Sequence, residues 1–412
     1  MGNTQMKKTL IAANVAAVLA LGITATATQA AEFMDGKLSI NGAAMQSWQT
    51  AMEVDGAARA PENQDSGFHR LRYALTFNAQ LTDTISVFAE LAEEPNDNPQ
   101  FTQDLAWIQF QKDGLGLRVG NVVSTTQNFI EYSDGAAVQS NPLIGNSPVD
   151  MITAEEGLWL YGAKDNYTWD AVVSKPSFGT DFSEDSGYNF GLRGTVGFDN
   201  GFSLGAGVFV TNADLDCSGG TCTNNGAHGV IGSLIGIGDG DNYEYGTDTG
   251  GLTGTPGRGS HFAIVPGVNA TIWQIDAQYK TEDLALHAYY GIAEDDYSWA
   301  DSGIAGYRPM SANFTKTDSE VSFMSVKAKY DINKELYVAA RYSASTNESE
   351  GISGNDGLDR IQLGLGYWIE DKVLLKVEYV KQTEEAFSGG QSTDGTGEAE
   401  WDGLLAELSV SF

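Results

Sequence analysis

The chain has 412 residues, with 55 acidic against 23 basic side chains and a formal net charge of −32 at pH 7. So acidic a balance excludes nucleic-acid binding, whose phosphates need a basic patch. Two cysteines without histidines at ligand spacing exclude a zinc site, and the absence of a long apolar run beyond residue 30 excludes a transmembrane helix in the mature chain.

Residues 1–30 read as a secretory signal peptide. Lys7 and Lys8 precede an apolar run over 9–23, and small residues follow up to Ala30, after which cleavage is expected. Removing this segment takes away two lysines and no acid, so the exported chain is more acidic still. Residues 31–412 are expected to form one domain. Since no helix is available to cross lipid, a closed β-barrel is the remaining spanning structure, and its weak hydropathy per segment suits a polar lumen.

Alternation bounded by turn residues predicts sixteen strands over 37–49, 67–81, 85–94, 101–111, 115–123, 154–163, 167–176 and 186–198, then 202–213, 262–280, 284–294, 316–330, 335–346, 357–369, 373–383 and 399–412. Seven connections are tight, at 82–84, 112–114, 164–166, 199–200, 281–283, 331–334 and 370–372, and rich in Asp, Asn and Gly. They alternate with longer loops that include 124–153, 214–261, 295–315 and 385–397. Short turns on one rim and long loops on the other is the asymmetry of a transmembrane antiparallel β-barrel, with periplasmic turns and extracellular loops. The expected fold class is therefore all-β.

The faces follow from parity. Leu71, Tyr73, Leu75 and Phe77 are placed toward lipid, as are Phe190 and Leu192, Leu286 and Tyr290, and Leu363, Leu365 and Tyr367. The opposite parity carries Arg70, Arg72, Arg118, Arg193, Asp276, Lys327, Arg341, Lys376 and Glu378. A charge facing mid-membrane lipid costs roughly 2–4 kcal/mol, so these must look inward onto water. Around Trp107, Trp159 and Tyr161 the parity is ambiguous, and a subunit interface is one expectation for them.

Two features suggest a family. The loop 124–153 carries Glu131, Asp134 and Asp150, with no Lys or Arg between Val119 and Ala163. The final strand places Leu404, Ala406, Leu408, Val410 and Phe412 on one face, ending on an aromatic. With sixteen strands and arginines across the lumen, the chain resembles the trimeric porins of Gram-negative outer membranes. That resemblance implies that 124–153 folds into the barrel as an eyelet, with Glu131, Asp134 and Asp150 on the loop side. Arg70, Arg72, Arg118, Arg193 and Arg341 would form the basic wall. It further implies that Phe412 is an assembly signal read by the barrel assembly machinery, that lipid and lipopolysaccharide surround the barrel, and that three copies associate as a homotrimer.

Cys217 and Cys222 flank a Gly-rich tip and are expected to pair as a disulfide in an oxidising compartment. The stretch 228–238 is apolar inside a hydrophilic loop, which would suit a plug, a latch on a neighbour, or a rim contact. Asp239, Asp241 and Glu244 lack EF-hand spacing and read as an acidic turn. No nucleophile motif, haem motif or phosphate loop accompanies His69, His228, His261 and His287, so no cofactor and no catalysis are expected. The functional expectation is passive diffusion of small hydrophilic solutes or ions, with a mild cation preference. An anion- or phosphate-selective porin, and a non-transport barrel serving as an adhesin or structural protein, are the alternatives.

Overall fold

The computed structural model describes residues 31–33, 37–50, 53–55, 67–94, 100–123, 139, 141–144, 154–174, 188–212, 270–295, 319–347, 357–385 and 399–412. In chain order the strands are β1 (Ala31–Phe33), β2 (Leu38–Gln49), β3 (Glu53–Asp55), β4 (Gly67–Gln80), β5 (Ile85–Glu94), β6 (Gln100–Lys112), β7 (Leu115–Val123), β8 (Ala154–Lys164) and β9 (Tyr167–Ser174). They continue as β10 (Tyr188–Gly197), β11 (Phe202–Asn212), β12 (Ala270–Lys280), β13 (Leu284–Asp295), β14 (Ser319–Asp331), β15 (Leu336–Asn347), β16 (Gly357–Glu370), β17 (Val373–Glu385) and β18 (Ala399–Ser411). β1 and β3 are three-residue pieces. The other sixteen pair antiparallel, each with its neighbours, and close into a barrel.

Closure joins the first and last long strands. β18 lies against β2 with Ser411 opposite Ala43 and Leu405 opposite Gln49. Gly42 N–H donates to Phe412 O at 2.7 Å and Phe412 N–H to Gly42 O at 2.8 Å. A side chain at Gly42 would collide with the Phe412 ring, the nearest carbon at 2.2 Å, so the terminal aromatic covers the one residue there without a Cβ. Below that point β1 takes over as partner of β2, with Ala31 opposite Ile40.

The tight turns form for local reasons. Asp113 and Gly114 both have positive φ (51° and 81°), the geometry a two-residue hairpin with right-handed twist requires. Thr281 Oγ1 accepts the Leu284 N–H at 3.1 Å, and Asn333 Oδ1 accepts the N–H groups of Glu335 and Leu336 at 2.9 and 2.8 Å. These side chains replace backbone partners at the strand ends.

Burial follows the predicted parity. Leu71, Leu192, Leu286 and Leu363 are exposed on the outer face, while Thr76, Arg193, His287 and Gln362 are buried inside. One expectation fails. Trp107, Trp159 and Tyr161 are buried on the inner face, not on an outward subunit face. For Trp107 a register shift in β6 breaks the alternation: Glu90 pairs with Leu105 but Leu91 pairs with Gln103, leaving Asp104 as an extra residue. One extra residue inverts strand parity.

Candidate channel lumen and constriction

Parts of the long loop between β7 and β8 lie inside the barrel. Gln139 Nε2 donates to Lys372 O and Ser409 O, both at 3.1 Å, close to the short-turn rim. Leu143 packs against Tyr337, Ala339 and Leu374, with Trp368 at the edge of this apolar patch. Gly364 lies beneath it: a Cβ there would stand 2.6 Å from Leu143 Cδ2.

Polar groups around Leu143 are matched one by one. Lys376 Nζ donates to Asn141 O at 3.3 Å and Leu143 O at 3.4 Å, while ion-pairing with Glu407 at 2.7 Å. Tyr337 OH donates to Pro142 O at 3.2 Å. The Ile144 N–H donates to Glu378, whose other oxygen accepts Gln362 Nε2 at 2.8 Å. Buried backbone groups without such partners would cost a large desolvation penalty.

The loop carboxylates Glu131, Asp134 and Asp150 lie outside the described residues, as do Cys217 and Cys222. Arg72, opposite Met45, shares the register parity of Ala74 and Thr76, and Met45, Ala74 and Thr76 are buried on the inner face. Arg70 falls where the β2–β4 register shifts; the side chains of the two arginines fall outside the description.

The remaining three predicted arginines sit on the inner wall in different settings. Arg118 stacks on aromatic rings, its guanidinium carbon 4.6 Å from the Trp107 ring centre, 4.8 Å from Trp159 and 5.5 Å from Tyr161. Its Nε donates to Gln109 Oε1 at 2.7 Å. Arg193 is ion-paired with Asp276 at 2.7 Å, and His287 Nε2 stands 3.9 Å from the other oxygen of that carboxylate. Asp170 faces Arg193 directly across β9 and β10. Gly205 makes room for the pair, since a Cβ there would lie 2.3 Å from Asp276 Oδ2. Arg341 Nε donates to Gln362 Oε1 at 2.8 Å.

The five arginines therefore do not act alike. Arg193 is ion-paired with Asp276 two strands away on β12 and faces Asp170 on β9, whereas Arg341 belongs to a basic patch. Lys327 lies opposite Arg341 across β14 and β15, and Arg360, opposite Ser343 on β16, extends the patch. Arg360 Nε donates to Gln382 Oε1 at 2.7 Å. Arg360 was absent from the predicted wall although its parity matches Gln362 and marks it as inward. Asp170 and His287 were missed for the same reason; lumen parity identifies each of them.

No family model matches the chain, and no curated protein matches it. Solved structures do. The anion-selective porin of Comamonas acidovorans superposes with TM-score 0.56 at 12% identity, over 91% of this chain and 99% of its own. OmpF of Salmonella typhi, solved with Daunomycin, gives 0.54 at 13% identity over 91% and 97%. This chain has the sixteen-stranded fold of the outer-membrane porins. The outer-membrane expressed OmpT of Vibrio cholerae gives 0.54 at 10% identity over 92% and 100%. In the porin fold the short turns face the periplasm and the long loops the exterior. The docked residues of the β7–β8 loop thus enter from the outside and reach the periplasmic half of the wall.

Proposed function

We propose that the protein is an outer-membrane porin through which small hydrophilic solutes and ions diffuse passively, without a cofactor or chemical step. The observation that carries this reading is the pair formed by a polar, charged inner wall and a loop tucked against it. A sixteen-stranded barrel is wide enough for an aqueous channel, and an inward loop reduces it to a sieve. The protein sits in lipid and lipopolysaccharide, reaches the membrane through the barrel assembly machinery, and associates as a homotrimer. OmpT of Vibrio cholerae, folded in vitro, was solved in a trimer form, which supports the last point.

Selectivity arises from fixed charges. Glu131, Asp134 and Asp150 lie on the loop that enters the barrel and favour cations. Charges in a narrow low-dielectric passage are screened far less than those at the mouth, where the Debye length is about 8 Å. The Lys327–Arg341–Arg360 patch supports the second reading, an anion-preferring channel. Planar-bilayer recording in a salt gradient separates the two. The expected wild-type reversal potential has the cation sign, and neutralising Glu131 and Asp134 together moves it toward anions. An anion sign in the wild type assigns selectivity to the basic patch, and a protein that never conducts refutes the channel.

A further inference from the structure

We infer that Arg118 and the aromatic stack that seats it form a saturable station in the lumen for solutes bearing a single carboxylate. Arg118 is the contact residue, and Trp107, Trp159 and Tyr161 are positioning residues that fix its guanidinium. The inference rests on the channel reading and adds to it a class of solute that the wall recognises.

Charge singles this arginine out. Arg193, Lys329 and Lys376 each have a carboxylate oxygen at 2.7 Å. Arg118 has none among the described residues: its Nε donates to the neutral Gln109, and its other close neighbours are rings. A guanidinium is not deprotonated in proteins, so a full positive charge stands on the inner wall of β7 with no anion in contact with it. Exposure separates the cation from its seat. Trp107, Trp159 and Tyr161 are at most 6% exposed, whereas Arg118 is only half-buried. A passing solute can therefore reach the guanidinium and not the rings.

The seat is built across four strands. Phe88 on β5 stacks on Trp107 of β6, with ring centres 4.1 Å apart and planes 20° from parallel. The guanidinium follows, between Trp107 and Trp159 of β8, and the Tyr161 ring lies 5.6 Å from Trp159. β7 accommodates the stack with a glycine two residues to either side of Arg118 on the same inward row. Tyr161 lies over Gly116, where a Cβ would stand 2.1 Å from its ring. Gly120, opposite Trp107, has a φ of 139°, and a Cβ there would stand 2.2 Å from Ala106 O. Rings on both flanks and an amide on Nε leave the arginine little freedom. A planar fork held still is preorganised for the two parallel hydrogen bonds that a carboxylate accepts. The other cations of β5–β8, Lys112 and Lys164, stand exposed at the turn ends. One fork balances one negative charge, so the station suits a monocarboxylate better than a phosphate dianion.

The test uses the full-length protein in planar bilayers, with propionate as the probe and uncharged propionamide, of the same shape, as its control. Propionate added to a chloride bath is expected to lower the single-channel current to a plateau, while propionamide leaves it unchanged and dianionic phosphate blocks less. Arg118→Gln should raise the half-block concentration about tenfold or more, the worth of hydrogen bonds to a charged group. Arg118→Lys keeps the charge but loses the fork, and Trp159→Leu keeps the arginine but loosens it. Both should weaken the block while the reversal potential in a salt gradient stays near wild type, a separation that a merely structural role would not produce. Heat-modifiable mobility on gels confirms a folded barrel in each case. If the Gln or Leu variant fails that check, Arg118→Lys decides. A conducting wild type that propionate does not block, or a block that survives in folded Arg118→Gln, overturns the station. Equal block by phosphate overturns the carboxylate assignment. Tryptophan fluorescence in vesicles, compared between wild type and Arg118→Gln as propionate is added, reports binding without conduction. A propionate response confined to the wild type, in a protein that carries no current, refutes the channel and keeps the station, so the two claims fail separately.

Discussion

Asp276→Asn tests whether buried charge pairs hold the lumen wall. Arg193 and Asp276 are 2.7 Å apart, with side chains 3% and 1% exposed, so bulk water screens neither. Breaking a buried pair costs about 3–5 kcal/mol when the survivor is stranded. Here Arg193 keeps Asp170 opposite it on β9. The expected loss falls to about 2 kcal/mol, the net worth of one hydrogen bond to a charged group. With a urea slope of about 2–3 kcal/mol per molar, the unfolding midpoint drops by roughly 0.7–1 M. Gly205→Ala attacks the same pair by sterics, because its Cβ would sit 2.3 Å from Asp276 Oδ2 and 2.7 Å from Arg193 Nη2. Overpacking adds about 1–3 kcal/mol, so this variant unfolds at lower urea than Asp276→Asn. In the double variant the second change costs less than it does alone, since the charged hydrogen bond is lost only once. Tryptophan fluorescence of the barrel refolded in lipid vesicles gives the midpoints. Unchanged midpoints for both single variants refute the pair as a structural element and return Arg193 to the conduction path.

Two further outcomes are expected. Phe412→Ala uncovers Gly42 and strips the aromatic from the seam, so less heat-modifiable barrel should appear in outer-membrane fractions; an unchanged yield refutes Phe412 as an assembly signal. Cys217 and Cys222 should be oxidised together, and mass spectrometry finding two free thiols after non-reducing preparation refutes the bridge. Their reduction should leave the urea midpoint in place, because a six-residue link in one loop constrains no strand.

The strands were legible because their signals are local. Alternation over ten or so residues places a strand and its faces, and turn chemistry places its ends: 373–383 becomes Val373–Glu385, and 284–294 becomes Leu284–Asp295. The predicted start of the tenth strand at 262 lies outside the described residues, which begin that strand at Ala270. Reading failed where the period broke. The extra residue at Asp104 inverts parity within β6, and no rule of alternation announces a bulge. Trp107, Trp159 and Tyr161 looked like material for an interface because aromatics on a barrel are ordinarily outside. Their true role as the seat of Arg118 depends on three strands meeting.

The amino-acid sequence alone determined what is periodic or adjacent: the number and order of strands, the lipid and lumen faces, the two unlike rims and the terminal aromatic. Each depends on the period-two geometry of a strand or on the φ preferences of a few turn residues, and neither needs a distant partner. Only the tertiary structure decided which charges neutralise one another and where the loop comes to rest. Arg193 meets Asp276 across 83 residues of chain, and Tyr337 meets Pro142 across 195. Such pairings follow from closing the sheet on itself, which brings every strand's inner face around one lumen. Gly364 shows the difference plainly: in the sequence it is a gap in an alternating strand, and in the barrel it is the space that Leu143 fills.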